Sequence, residues 1–102
     1  MRLIATEAYE TKGMTIAATA ILITDAGWDW KPNDLALAQR AYVSARLAGL
    51  MITWSGVTPT PTLGHAVPEN GTIEVVGNVN INNLQFIREA GTSVAVSVTL
   101  EQ

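Results

Sequence analysis

The sequence contains no cysteine, one histidine and one phenylalanine, and only 15% of its residues are charged. Without cysteine there is no disulfide scaffold and no thiolate metal site, and the redox compartment is left open. Globular chains typically carry about 25% charged residues, and disordered or coiled-coil chains carry more, so both of those classes are excluded. The charges present sum to −3, which argues against an electrostatic grip on nucleic acid or on an anionic membrane. Long apolar runs are missing too. The longest, residues 14–23, is about half the roughly 20 residues a membrane helix needs, and threonines interrupt it. At the N-terminus, Met1-Arg2-Leu3-Ile4-Ala5-Thr6-Glu7 reaches an acidic residue before an apolar run develops, unlike a signal peptide. The expectation is a soluble chain whose residues 1–102 form one domain, with 48% hydrophobic residues to supply one core.

What the chain does have is β-branched residues punctuated by turn signals. Ser93-Val94-Ala95-Val96-Ser97-Val98-Thr99-Leu100 puts Val94, Val96, Val98 and Leu100 on one face. That period of two predicts a half-buried strand with Ser93, Ser97 and Thr99 facing outward. Thr72-Ile73-Glu74-Val75-Val76 predicts another, after Pro68-Glu69-Asn70-Gly71, a turn in which Gly71 can take the positive φ. Asn78-Val79-Asn80-Ile81-Asn82 alternates polar and apolar residues, as an exposed edge strand or extended loop would. Leu84-Gln85-Phe86-Ile87-Arg88 continues into the turn residues Ala90-Gly91, and residues 15–24 favour one strand or two short ones.

Residues 35–50 read two ways. Their alanines and leucines suit a helix with Asn33 or Asp34 as its cap. Yet Ala41, Val43, Ala45 and Leu47 alternate with Arg40, Tyr42, Ser44 and Arg46, which is a strand pattern. The strand is preferred over residues 40–47, with one short helical turn at Asp34–Leu37. Gly49 then breaks the run before Leu50-Met51-Ile52-Thr53-Trp54, the return strand. Two prolines in Gly56-Val57-Thr58-Pro59-Thr60-Pro61-Thr62 forbid a central strand and predict an extended surface loop. Short strands at regular spacing, without strong helices, predict an all-β fold: an antiparallel β-sandwich, or a jelly-roll-like one.

Chemistry-bearing motifs are sparse. His65 has no nucleophile or orienting carboxylate in any recognisable motif, and one histidine is a poor basis for zinc, so a structural, hydrogen-bonding role is expected. Asp25, Asp29 and Asp34 lack the alternating spacing of a calcium loop and read as turn and cap residues. Glu7 and Glu10 could pair as glycosidase carboxylates only across a cleft that nothing in the sequence indicates. Asn78, Asn80, Asn82 and Asn83 read as turn and edge residues rather than ion ligands. Asn70-Gly71-Thr72 matches a glycosylation sequon. No phosphate loop, nucleophile elbow, metal motif or cofactor motif is present.

Tryptophan is the residue with most to say. Trp28 and Trp30 flank Asp29 in a polar, proline-containing segment, and Trp54 ends a strand. Indoles either cap the ends of a small core or anchor an interface. The interface expected here combines Trp28 and Trp30 with the loop residues Gly56, Thr58, Pro59, Thr60, Pro61 and Thr62. Its prolines pre-order the backbone, so docking loses less entropy than a flexible loop would.

From about Arg40 onward, the chain resembles small phage-encoded β-sandwich proteins found among virion structural proteins. The residues that carry the resemblance are Ile52-Thr53-Trp54, Gly56-Val57-Thr58-Pro59-Thr60, Gly64-His65, Ile73-Glu74-Val75, Phe86-Ile87-Arg88 and Val94-Ala95-Val96-Ser97-Val98. Ser55-Gly56 stands where that family usually places an Asp-Gly pair. The resemblance implies a non-enzymatic virion component, either a capsid decoration (cement) protein or a head–tail, tail or baseplate accessory protein, including a carbohydrate-binding module. An enzyme or host-directed regulator is the third class. The implied partner is the major capsid protein or another virion protein, with no nucleic acid, membrane or cofactor. A homo-oligomer is expected, a trimer among the options, because so apolar a small chain would expose much hydrophobic surface alone. Residues 1–10 are a candidate arm reaching a neighbour.

Overall fold

A strand with one apolar face is stable only when a second layer covers that face. The computed structural model describes residues 8–102, and it supplies that layer as a second sheet. In chain order the elements are strands β1 (Ala8–Ile16) and β2 (Ile21–Leu22), a 3-10 turn (Ala26–Trp28) and helix α1 (Asp34–Leu37). Strands β3 (Arg40–Arg46), β4 (Leu50–Thr53), β5 (His65–Val67) and β6 (Thr72–Val76) follow, then helix α2 (Asn78–Asn82) and strands β7 (Gln85–Arg88) and β8 (Val94–Glu101).

The sheets run β1-β8-β3-β6 and β2-β7-β4-β5, and every paired strand is antiparallel. β1 pairs with β8, β2 with β7, β3 with β6 and β4 with β5. The chain is thus one long hairpin folded back at the β4–β5 connection and rolled until β3 meets β8 and β4 meets β7. This is the jelly-roll order, an eight-stranded, two-sheet form of the β-sandwich.

β8 lies between β1 and β3, with Val94, Val96, Val98 and Leu100 buried, Ser97 exposed, and Ser93 and Thr99 half-buried. Ala41, Val43 and Ala45 of β3 extend the same face, and Leu50, Ile52 and Phe86 meet it from the other sheet. The helical turn at Asp34–Leu37 is observed, and so is the strand over Arg40–Arg46, but Leu47, expected on its apolar face, lies past the strand end at a φ of 75° and is 70% exposed.

Two further expectations are corrected. Asn78–Asn82 is a helical turn, not an edge strand or extended loop. Its period-two pattern misleads because the asparagines serve α1. Asn78 Nδ2 donates to the carbonyls of Leu35, Ala36 and Ala38 at 2.9, 3.1 and 2.8 Å, and Asn82 Nδ2 donates to Leu35 at 3.0 Å. A short helix leaves its last carbonyls without internal donors, and these amides supply them. Ile81, fully buried, anchors α2 to the core. In the turn before β6, Asn70 rather than Gly71 takes the positive φ, at 65°. Gly71 N donates to Pro68 O at 2.8 Å, so Asn70 occupies the turn position that needs a left-handed residue, which asparagine tolerates. The candidate arm, residues 1–10, falls mostly outside the described residues; of the described ones, Ala8 and Glu10 pair with β8.

Two outcomes follow from this packing. Val96→Asp places a charge between the sheets of a domain whose net stability is about 5–15 kcal/mol, so the variant should lose its cooperative unfolding transition by circular dichroism. Tyr9 donates its hydroxyl to the Asp34 carbonyl, and burial, with a smaller contribution from the Asp34 carboxylate, raises its pKa above the ordinary 10.0. A raised pKa means that the fold favours the neutral phenol. Stability from this group is complete below pH about 10 and is lost as pH rises from there through the folded-state pKa. Urea midpoints should fall more steeply above pH about 10 for the natural chain than for Tyr9→Phe.

Candidate functional site

The register fixes which connections share an end. Leu22 and Thr53 both lie opposite Gln85, and Arg40 lies opposite both Val76 and Glu101. Connections 23–39, 54–64 and 77–84 therefore emerge at one end of the roll, and the shorter connections 17–20, 47–49, 68–71 and 89–93 emerge at the other. The two segments that the sequence singles out, around Trp28–Trp30 and residues 56–62, lie at the same end.

The first segment is built on Asp25. Its Oδ1 accepts from Gly27 N at 2.8 Å, and Asp29 turns the chain at a φ of 59°, so both serve the turn as expected. The turn lays the two indoles nearly parallel, with centroids 6.0 Å apart, and sets Trp28 at 5.3 Å from Phe86. Trp28 Nε1 donates to Leu22 O at 3.1 Å and Trp30 Nε1 donates to Ile23 O at 3.0 Å, which fastens the segment to the end of the two-residue strand β2. Trp28 is 1% exposed. Its place in the interface is therefore corrected: the ring is a core residue that supports the half-buried Trp30.

The second segment is a pinned loop. Thr53 Oγ1 donates to Val57 O, and Thr60 and Leu63 exchange two backbone hydrogen bonds of 3.1 Å around Pro61-Thr62. Gly56 (φ 89°) and Gly64 (φ 138°) bend the chain where other residues are strained, and a Cβ at Gly64 would sit 2.9 Å from Ile52 O. Gly56, Thr58, Thr60, Pro61 and Thr62 are exposed, whereas Pro59 is buried. That burial removes Pro59 from the contact surface and makes it the loop's internal support.

Between the loop and the strand ends lies a groove of about 330 Å³, lined by Thr53, Trp54, Ser55, Val57, Leu63, Gly64 and His65. Such a volume is at the small end of the roughly 300–1,000 Å³ typical of ligand pockets. The Trp54 and His65 rings stack with centroids 4.3 Å apart and planes 13° apart. The role expected of His65 was hydrogen bonding, and the contact found is this stack. Val57 and Leu63 are 49% and 50% exposed, and the lining holds no carboxylate, lysine or arginine. Trp54, Val57, Leu63 and His65 were absent from the sequence-based site. Their signal lay in the register, since Ile52 opposite His65 places Trp54 and Gly64-His65 at the mouth of the same hairpin.

Among the described residues, no group of three or more histidine, cysteine, aspartate or glutamate side chains could hold a metal ion. Glu10 lies on β1, and Glu7 lies outside the described residues. Compared with known proteins, the chain matches no family model, no curated protein and no solved structure.

Replacing each indole separates core from surface. Trp28→Ala should cost about 3–5 kcal/mol, the range for truncating a buried tryptophan, and Trp30→Ala distinctly less. Denaturant titration of both variants reads this directly. Equal losses would mean that the two rings are equivalent members of the core.

Proposed function

We propose that this chain is a non-enzymatic virion structural protein, a capsid decoration or cement protein that binds the shell through the end bearing the long connections. The observation that carries this reading is where apolar side chains are exposed. Leu22, Leu37, Val57, Leu63, Val76 and Val79 all lie at that end, and Leu47 is the one large exposed aliphatic residue described at the other. Scattered apolar residues need no explanation, but a concentration at one end of a small domain marks an interaction surface. The pinned loop suits such a role, because a rigid surface loses little entropy on docking.

Fold and resemblance lend support by analogy. Jelly rolls serve in viral capsid and lectin domains, although one fold hosts many functions. The partner on this reading is the major capsid protein or another virion protein, engaged by a homo-oligomer, with a trimer as one arrangement. The alternative reading is a head–tail, tail or baseplate accessory protein with a carbohydrate-binding surface. One observation favours it: the stacked Trp54–His65 pair beside an uncharged groove.

Binding to purified shells tests the proposal. Leu63→Asp and Val57→Asp should each weaken binding by more than about 2 kcal/mol while the fold is retained, and Leu47→Asp should leave it unchanged. Stoichiometric binding at capsid-subunit copy number supports decoration, and a few copies at the tail support the alternative. A stable monomer by light scattering that binds neither shells nor tails would overturn both.

A further inference from the structure

The turn at residues 68–71 lies at the end opposite the proposed interface and carries chemistry of its own. Of the asparagines, Asn70 alone precedes a glycine. In such a pair no side chain hinders attack by the next backbone nitrogen on the asparagine carboxamide. The fold obstructs that attack at several points. Gly71 N donates to Pro68 O at 2.8 Å, Asn70 N donates to Ala45 O at 2.8 Å, and Ala45 N donates to Gly71 O at 3.1 Å. The Ser44 and Thr72 hydroxyls, 3.0 Å apart, fasten the next pair of the ladder. Gly71 also lies so close to Pro68 that a Cβ there would be 2.9 Å from both Pro68 Cγ and Pro68 O. Asn70 itself is exposed, so water and base reach it.

We infer that Asn70-Gly71 is a latent deamidation site, held unreactive by its turn and released when the β3–β6 end of the sheet opens locally. In the opened turn, Gly71 N loses its proton to base and attacks Asn70 Cγ. The N–Cγ bond closes a succinimide ring as the Cγ–Nδ2 bond breaks, and Nδ2 leaves as ammonia. Water then adds to either imide carbonyl and opens the ring to aspartate or isoaspartate. The net change is amide plus water to carboxylate plus ammonium, with no redox step. Isoaspartate adds a carbon to the backbone at the residue whose two flanking hydrogen bonds hold Ala45, so the product cannot restore this turn.

Incubation at mildly alkaline pH, followed by peptide mapping, tests the gating. The amide-to-acid mass gain in the peptide containing Asn70 should appear at least about tenfold more slowly in the folded chain than in urea, because reaction must await opening. Ser44→Ala should speed the folded-state reaction without abolishing the fold, and Asn70→Gly, which accepts the same φ, should eliminate the mass gain in this peptide. Equal rates for folded and unfolded chains, or earlier reaction at another asparagine in urea, would overturn the inference. Shell binding should be unchanged in Asn70→Gly, so failure here and failure of the decoration reading are distinguishable.

Discussion

The register of β8 constrains everything else in this molecule. β8 is paired along both edges, with Val96 opposite Met14 on one side and Ala45 on the other. A shift of one residue would turn Val94, Val96, Val98 and Leu100 outward and bring Ala95, Ser97 and Thr99 into the core. It would also misalign that face with β1 and β3, which both pair with β8. The valine face therefore selects one alignment for a whole sheet. Burying each such side chain contributes roughly 1.5–3 kcal/mol, and the alternative register forfeits all of them together.

That alignment also sorts the connections by length. With each strand antiparallel to its neighbours, successive connections alternate between the two ends, and every long one falls at the same end. The connections at the other end, residues 17–20, 47–49, 68–71 and 89–93, are short. At the long-loop end, the loops are held by specific bonds: the indole N–H groups to Leu22 and Ile23, the Asn78 amide to the end of α1, and Thr53 to Val57. A rigid frame with ordered loops at one end is the arrangement in which binding surfaces recur.

Much of the fold was legible in the residues themselves. β8 and the strand part of residues 40–47 announce themselves through alternation, β6 through β-branched residues after a turn, β4 through the break at Gly49, and Asp34–Leu37 through its polar start and apolar run. α2 was not legible, because its alternation mimics a strand and its asparagines answer to carbonyls 40 or more positions away in sequence. The loop at residues 56–62 was legible from its prolines, but not the burial of Pro59. The groove depends on Gly64 and His65 returning beside Ile52, a pairing that only the register of β4 with β5 reveals.

The tryptophans show why composition alone misplaces a site. A chain with one phenylalanine must fill the open end of its sandwich with what remains, and Trp28 does so against Phe86. Once Trp28 is committed to the core, Trp30 lies on it as a second layer, and its indole nitrogen is already used by Ile23 O. Trp54 differs. It sits one residue beyond the last paired residue of β4, where the strand leaves the sheet and the neighbouring β5 has just begun. Its ring stacks on His65 and packs against the edge of the core, beside a loop that leaves Val57 and Leu63 half in solvent. Two indoles close the fold, and the third lines the surface that the fold presents.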